Sequence, residues 1–266
     1  MWNLKKVKKD FKYLINYLLG SLALLFIVAP IINMYFAADL DKIFSTARDS
    51  EVRNSIFFTL LISFLSTIVF ALFSIPLAYL ISKSKSWLKT ILLGLVNIPI
   101  VIPHSAAGIA LLGLVSRENP VGKFASSIGL NFVDSPLGIA IAMAYVSVPF
   151  LIISAYTGFK EIPEDLELAS RNLGATRWQT FLNISIPLSG RSILAGIILM
   201  FSRGISEFGA VIMLAYFPTV TPVLIYKKFT THGLEFAQPI ALIFITICLL
   251  IFVVYYLFGI IGKNKS

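Results

Sequence analysis

The chain has 266 residues, of which 58% are hydrophobic and only 13% are charged. A soluble domain normally carries about a quarter charged residues, so the composition excludes that class and predicts a protein that crosses a membrane several times. The net charge of +9 does not indicate nucleic-acid binding, because basic residues crowd the N-terminus and the predicted loops, a distribution typical of membrane topology signals. Cys248 is the only cysteine, which excludes an intrachain disulfide.

Six apolar stretches are long enough to cross a bilayer as α-helices, which takes about 20 residues each. The first is too long for the apolar core of a cleavable signal peptide, about 7–15 residues, so we interpret it as a retained span. The sequence therefore predicts an all-α polytopic membrane protein with six transmembrane helices in one domain, residues 1–266. The predicted spans are 14–36, 55–82, 88–115, 136–158, 192–217 and 238–262.

Lysine and arginine in the short loops predict the orientation of these spans, because such residues accumulate on the cytoplasmic side. The N-terminal segment 1–13 is strongly basic, and further basic residues follow the second, fourth and sixth spans. Both chain ends are therefore predicted to be cytoplasmic, although Lys227 and Lys228 mildly oppose this assignment. The basic residues concerned are Lys5, Lys6, Lys8, Lys9, Lys12, Lys83, Lys85, Lys89, Lys160, Arg171, Arg177, Arg191, Lys263 and Lys265.

A polar stretch, LELASRNLGATRWQTFLNISIPLSG, separates the fourth and fifth spans. Pro163 suits the first position of a helix, and acidic residues follow it at the positive end of the helix dipole. Gly174 suits the left-handed position that ends a helix. Thr176 and Gln179 form the capping-box pattern of a second helix, which is expected to end before Pro187. The pattern predicts two short helices joined at a glycine elbow.

Each of these two predicted helices has an apolar face. Two interpretations follow from this pattern: the helix pair docks into a groove on a partner protein, or it lies on the lipid surface. The apolar faces comprise Leu166, Ala169, Ser170 and Leu173 in the first helix, and Trp178, Phe181 and Leu182 in the second.

Residue spacing in this stretch resembles the "EAA" loop of ATP-binding-cassette import permeases, in which Glu-Ala-Ala is followed by Gly and then by Ile-x-Leu-Pro. Gly174, Ile184, Ile186 and Pro187 match in register, whereas Leu168, Ala169 and Ser170 replace Glu-Ala-Ala and the glutamate lies one place earlier, at Glu167. The resemblance implies that residues 160–190, here called the coupling segment, dock into an ATPase subunit. It implies this role for Glu167, Leu168, Ala169, Gly174, Ile184 and Pro187.

Two further stretches resemble permeases for molybdate, tungstate and sulfate. The fifth span contains SRGISEFGAVIMLAYFP, similar to their Arg-x-x-x-Glu-Phe-Gly signature, and the third contains NIPIVIPHSAAGIALL, similar to archaeal-type molybdate/tungstate permeases. The resemblance implies a type I importer in the cell membrane. Its expected partners are a second copy of the chain, two ATPase subunits that bind ATP and Mg²⁺, and an extracellular anion-binding protein, with no cofactor in this chain.

Arg203 and Glu207 are charged residues within a predicted span, where charge is costly and usually faces the protein interior or water. Their i, i+4 spacing allows them to pair. Either the pair braces helices, or it takes part directly in an anion pathway. His104 and Ser105 are further pathway candidates, although His104 also suits a packing histidine and Ser105 a backbone hydrogen bond.

Alternative functions remain open in other classes. A sulfate or thiosulfate permease differs from the main interpretation only in its substrate. An ion-coupled secondary transporter usually has acidic residues or broken helices in several spans, and a membrane enzyme needs a clustered nucleophile, base or metal site. The Gly-Lys pairs Gly122-Lys123 and Gly262-Lys263 lack the rest of a phosphate-binding loop, so ATP hydrolysis is expected in another chain.

Overall fold

The computed structural model describes the backbone of residues 2–263 and the side chains of residue 13 and of residues 15–253. The described backbone contains helices and turns and no strand, as the sequence predicts. The helices are α1 (Trp2–Phe36), α2 (Leu40–Arg48), α3 (Ser50–Lys83), α4 (Ser86–Val101), α5 (His104–Val115), α6 (Pro120–Ser127), α7 (Pro136–Lys160), α8 (Glu164–Asn172), α9 (Arg177–Thr180), α10 (Ile186–Leu188), α11 (Gly190–Ile205), α12 (Gly209–Leu214), α13 (Thr221–His232) and α14 (Leu234–Lys263).

Four described helices are long and apolar enough to cross a membrane. The number reaches six if two bent helix pairs each count as one span, namely Ser86–Val101 with His104–Val115 and Arg177–Leu188 with Gly190–Ile205. The predicted number of spans lies within this range. The predicted orientation stays a prediction, and its N-terminal lysines and Lys263 and Lys265 lie outside the described side chains. Contacts divide the chain into two compact units. The first combines the residues up to Asp49 with those from Lys228 onward, and the second is Ser50–Lys227.

The first unit contains α1, α2 and α14. Tyr35 on α1 hydrogen-bonds to Thr246 on α14 at 2.6 Å. Asp39 caps α2 by accepting a hydrogen bond from the backbone N–H of Asp41. Lys42 pairs with Glu235, and the hydrogen bond from the lysine to this carboxylate raises the pKa of Lys42 above its ordinary value. These contacts join α1 and α2 to α14.

In the second unit, α3, α7 and α11 pack against one another through small and hydroxyl side chains. Ser63 on α3 donates a hydrogen bond to the carbonyl of Phe201 on α11, and Ser66 donates one to the carbonyl of Ala140 on α7. A side chain at Gly204 would place its Cβ 2.6 Å from the Ser63 hydroxyl. Small residues let membrane helices approach closely, and hydroxyl groups bond across the interface, so this three-helix bundle forms the core of the unit.

The third predicted span is broken in the middle. Helix α4 ends at Val101 and α5 begins at His104, with a bend of 108° between them. Pro103 explains the break, because proline pushes the preceding residue out of the helical region, and Ile102 is extended at φ −76° and ψ 146°. Pro99, in contrast, is accommodated within α4.

The fifth predicted span, 192–217, is also interrupted. Helix α11 ends at Ile205 and α12 begins at Gly209. Phe208 has a non-helical conformation between them, with φ −120° and ψ −50°. The prediction that residues 192–217 form one continuous helix is therefore wrong. The break places a charged residue, Glu207, between the two helices.

Candidate functional site

The coupling segment has the predicted elbow at Gly174. This residue has φ +91°, a conformation that favours glycine. Two hydrogen bonds close helix α8: the N–H of Gly174 donates to the carbonyl of Arg171, and the N–H of Ala175 donates to that of Ser170. This is the Schellman arrangement that commonly ends a helix at a left-handed glycine. The elbow is thus set by the local sequence.

The second helix of the coupling segment begins as predicted but does not end as predicted. Thr176 and Gln179 form a complete capping box, with hydrogen bonds of 2.8 and 3.2 Å. The chain then continues as a π-helix, Phe181–Ser185, and as α10, which contains Pro187. The prediction that the helix ends before Pro187 is wrong. Proline has no N–H to donate to the helix, and the wider π-helical turn just before Pro187 changes the backbone hydrogen-bond pattern and accommodates it. Pro163 is similarly the N-cap of α8, not its first residue.

Glu167 faces into the protein. It is 7% exposed, and its Oε2 atom lies 2.7 Å from Nζ of Lys83 in the last turn of α3. Its Oε1 atom accepts a hydrogen bond of 2.9 Å from the hydroxyl of Ser185 in the π-helix. The glutamate therefore joins three parts of the chain: α3, α8 and the π-helix.

The outer surface of the coupling segment is apolar at several positions. Leu168 is 41% exposed and Leu173 is 90% exposed. Ala169 and Pro187 are also exposed, whereas Ile184 is half-buried. Exposed apolar groups at these positions fit either a groove on a partner protein or the lipid surface. Of the residues predicted to contact an ATPase, Glu167 alone is buried, and its contacts are within the chain.

A second group of predicted residues meets where the two broken helices face each other. Oε2 of Glu207 lies 2.9 Å from Nη2 of Arg203 and 3.2 Å from Nδ1 of His104. The same Nη2 atom lies 2.7 Å from Nδ1 of His104. Glu207 is fully buried, and its Oε1 atom accepts a hydrogen bond from the backbone N–H of Ala210. We call His104, Arg203 and Glu207 the charge cluster.

Glycine contacts hold the two breaks together. A Cβ at Gly108 on α5 would lie 2.6 Å from the carbonyl oxygen of Ala210 on α12. A Cβ at Gly209 would lie 3.0 Å from Cβ of His104. These two glycines permit the close approach of α5 and α12, whereas Gly113 has no neighbouring atom within 4 Å. Tight packing at α5 and α12 fixes the position of the charge cluster.

An open cavity of about 530 Å³ adjoins the charge cluster. His104 and Glu207 contribute to its wall, together with Ser206. Ser105 is exposed in the first turn of α5, where backbone N–H groups carry partial positive charge. Arg203 also donates a hydrogen bond of 3.3 Å to Ser206. The geometry thus combines a cation, polar groups and space beside two interrupted helices.

The sequence does not predict the two contacts of Glu167. It indicates Lys83 only as a basic residue that sets membrane topology, and it gives no indication of Ser185. No local spacing relates Lys83 to Glu167, because the contact connects distant parts of the chain.

Comparison with protein families shows a match over most of the chain. The family model described as "Binding-protein-dependent transport system inner membrane component" matches residues 73–261. The matched region includes the coupling segment and the charge cluster.

Similar proteins include two archaeal permeases. The molybdate/tungstate transport system permease protein of Thermococcus kodakarensis is 36% identical over 262 residues, covering 98% of this chain and 100% of the relative. The corresponding protein of Methanocaldococcus jannaschii is 35% identical, covering 88% of this chain and 92% of the relative. The sulfate transport system permease protein CysT of Escherichia coli is 30% identical, with coverage of 73% and 71%.

The fold is similar to that of a solved transporter. A chain in the crystal structure of a bacterial ABC transporter involved in the import of alginate has a TM-score of 0.75 at 20% identity, with 99% coverage of both chains. A chain of such a transporter in complex with an alginate-bound periplasmic protein has a TM-score of 0.73 at 21% identity, with 93% coverage of both.

Proposed function

Because the chain belongs to the family of binding-protein-dependent transport system inner membrane components, we propose that it is the permease subunit of an ATP-driven importer for molybdate or tungstate. The observation that carries the substrate assignment is the 36% identity to a molybdate/tungstate permease along its entire length. The relationship to a sulfate permease has lower identity and lower coverage. The proposed location is the cell membrane, with both chain ends in the cytoplasm.

We propose that ATP binding and hydrolysis occur in a separate ATPase subunit, which docks on the coupling segment. The exposed side chains of Leu168 and Leu173 provide an apolar contact, since a helix docks by placing its apolar face in a groove. Glu167 then has an internal role. Its contact with Lys83 connects a displacement of α8 to the membrane-spanning helix α3.

Symmetry supports the proposed assembly. One chain supplies one coupling segment, whereas two ATPase subunits that act together need two docking sites. A two-fold homodimer provides both sites with one sequence. In this assembly, an extracellular binding protein delivers the anion to the face opposite the coupling segments.

The charge cluster has the chemistry of a weak anion gate. Arg203 attracts a dianion, but Glu207 partly neutralises the guanidinium at 2.9 Å. A passing anion therefore competes with Glu207 for Arg203, and the first turn of α5 adds the favourable end of a helix dipole. A pathway must not bind its substrate tightly, because a deep energy well stalls release. The built-in carboxylate keeps the proposed site weak.

Reconstitution in vesicles tests this function. The permease, its ATPase and its binding protein are assembled together, and the uptake of molybdate, tungstate and sulfate is measured with and without ATP. We expect uptake of molybdate or tungstate that requires both ATP and the binding protein. Preferential sulfate uptake would replace the substrate assignment, and uptake driven by an ion gradient without the ATPase would contradict the proposed mechanism.

A further inference from the structure

A cavity of about 600 Å³ lies between the end of α3 and the coupling segment. It is separate from the charge cluster and shares no lining residue with the cavity there. We call it the interfacial pocket. The lining residues that matter here are Pro76, Leu80, Lys83, Arg171, Arg177 and Trp178.

The polar side of the interfacial pocket has an excess of positive charge. Lys83, Arg171 and Arg177 contribute three cations, against the carboxylates of Glu164 and Glu167. Lys83 is already paired with Glu167. Neither arginine forms a salt bridge with any carboxylate in the described part of the chain. Two guanidinium groups therefore remain available for an external anion, and guanidinium binds phosphate particularly well.

The opposite side of the pocket is apolar and belongs to a membrane-spanning helix. Leu80 on α3 is 62% exposed. Pro76 precedes Lys83 by seven positions, which is about 10 Å along an α-helix. The pocket thus extends from a charged level at Lys83 into the apolar part of α3. Trp178, which is 60% exposed, has the amphipathic character typical of residues at the membrane–water boundary.

We propose that the interfacial pocket binds an anionic phospholipid. Its phosphate lies between Arg171 and Arg177, and one acyl chain follows α3 past Leu80 and Pro76. Basic pockets beside membrane helices at the cytoplasmic surface bind such headgroups. A free phosphate ion leaves the apolar wall uncovered. Leu168, assigned above to the ATPase contact, also lines the pocket, but an ATPase docked there from the cytosol leaves the wall formed by Pro76 and Leu80 uncovered. The inference rests on the proposed position of the coupling segment at the membrane surface, but not on the identity of the transported anion.

Native mass spectrometry of the complete transporter tests the proposal directly. Phosphatidylglycerol is titrated into detergent-purified wild type and into the double variant Arg171→Gln/Arg177→Gln. The control is Lys85→Gln/Lys89→Gln, which removes the same charge at the start of α4. We expect about 30-fold weaker lipid retention in the arginine variant and little change in the control. Equal retention in all three proteins would overturn the proposal, as would an equal loss in both variants.

Tryptophan fluorescence provides a second test that leaves the arginines intact. Trp2→Phe/Trp87→Phe retains Trp178 as the only tryptophan. Phosphatidylglycerol brominated on its acyl chains should quench Trp178 more strongly than brominated phosphatidylcholine, and inorganic phosphate should not compete at matched concentration. Equal quenching by the two lipids would contradict anionic selectivity. Displacement by phosphate would assign the site to a soluble ion, and loss of quenching on ATPase addition would assign the pocket to the ATPase. Neither lipid-binding experiment measures anion uptake, so a negative result for lipid binding does not contradict the proposed transport function.

Discussion

Nζ of Lys83 lies 2.7 Å from Oε2 of Glu167, so the last turn of α3 is attached to the first helix of the coupling segment. The carboxylate is almost completely buried, whereas the lysine side chain is 34% exposed. A pair of this kind is suited to transmitting a displacement, because the buried carboxylate has few alternative partners. The hydroxyl of Ser185 occupies its other oxygen.

We predict that Glu167→Gln weakens transport more than it weakens ATPase binding. The amide retains the hydrogen bond from Ser185 but loses the charge that holds Lys83. In a double-mutant cycle with Lys83→Met, the two substitutions should be coupled by about 1 kcal/mol in the free energy of unfolding. This is less than for a fully buried pair, because water screens the lysine. Uptake and ATPase pull-down are both measured. Glu164→Gln, an exposed acid on the same helix, is the control, and equal effects of the two substitutions would contradict the transmission role.

Gly174 should be the least replaceable glycine of the coupling segment. Its φ of +91° costs a β-branched residue about 1–2 kcal/mol, although no atom would contact a Cβ there. We expect Gly174→Val to lose ATPase association while the protein still inserts into the membrane, and Gly174→Asn to retain more of it. Pull-down of the ATPase measures this effect.

Gly190→Val is the matched control for the elbow. Gly190 also has open space around its Cα, but its φ is not positive. Loss of ATPase association in both variants would indicate that any bulk in the segment is harmful. Normal ATPase association in Gly174→Val would contradict the requirement for a residue that accepts a positive φ at this position.

Much of the coupling segment was predictable because its signals are local. A left-handed glycine and a capping box depend on residues within one turn of each other, so Gly174, Thr176 and Gln179 were sufficient. The π-helix before Pro187 was not predictable in the same way. Proline normally ends a helix, and local pattern does not indicate that a wider turn accommodates it.

Hydropathy predicted the spans but not their interruptions. Pro99 and Pro103 lie in the same apolar run, yet only Pro103 is at a break. Tertiary packing distinguishes them: beyond Pro103, α5 packs closely on α12 through Gly108. The Arg203–Glu207 pair was predictable from its i, i+4 spacing. The addition of His104 was not, because it comes from another broken helix.

Close packing at Gly108 gives a prediction with an internal control. Gly108→Ala would place Cβ 2.6 Å from the carbonyl oxygen of Ala210 and 2.8 Å from Cβ of Met213. Backbone must move, at a cost of about 1–3 kcal/mol, so we expect a lower melting temperature and lower transport. Gly113→Ala on the same helix meets no atom within 4 Å and should be close to wild type. Equal melting temperatures for the two variants would contradict the packing of α5 on α12.

The charge cluster allows bracing and anion passage to be separated. Glu207 is fully buried and Arg203 is 23% exposed, so removing either charge alone leaves the other uncompensated, at a cost of about 3 kcal/mol. We predict that Arg203→Leu and Glu207→Leu each reduce the yield of folded protein. The double variant should recover yield, because it removes both charges together. Ser202→Ala, an exposed neighbour on α11, is the control.

Transport by the double variant decides the role of Arg203. If the guanidinium draws the dianion through the gate, the double variant folds but does not transport molybdate or tungstate. Recovery of both yield and uptake would restrict the pair to bracing. His104 adds a further discrimination, because its Nδ1 atom lies 2.7 Å from Nη2 of Arg203 and 3.2 Å from Oε2 of Glu207. We expect His104→Ala to reduce uptake while leaving the yield nearly unchanged, since the Arg203–Glu207 contact does not depend on the imidazole. Wild-type uptake by His104→Ala would exclude the imidazole from the gate.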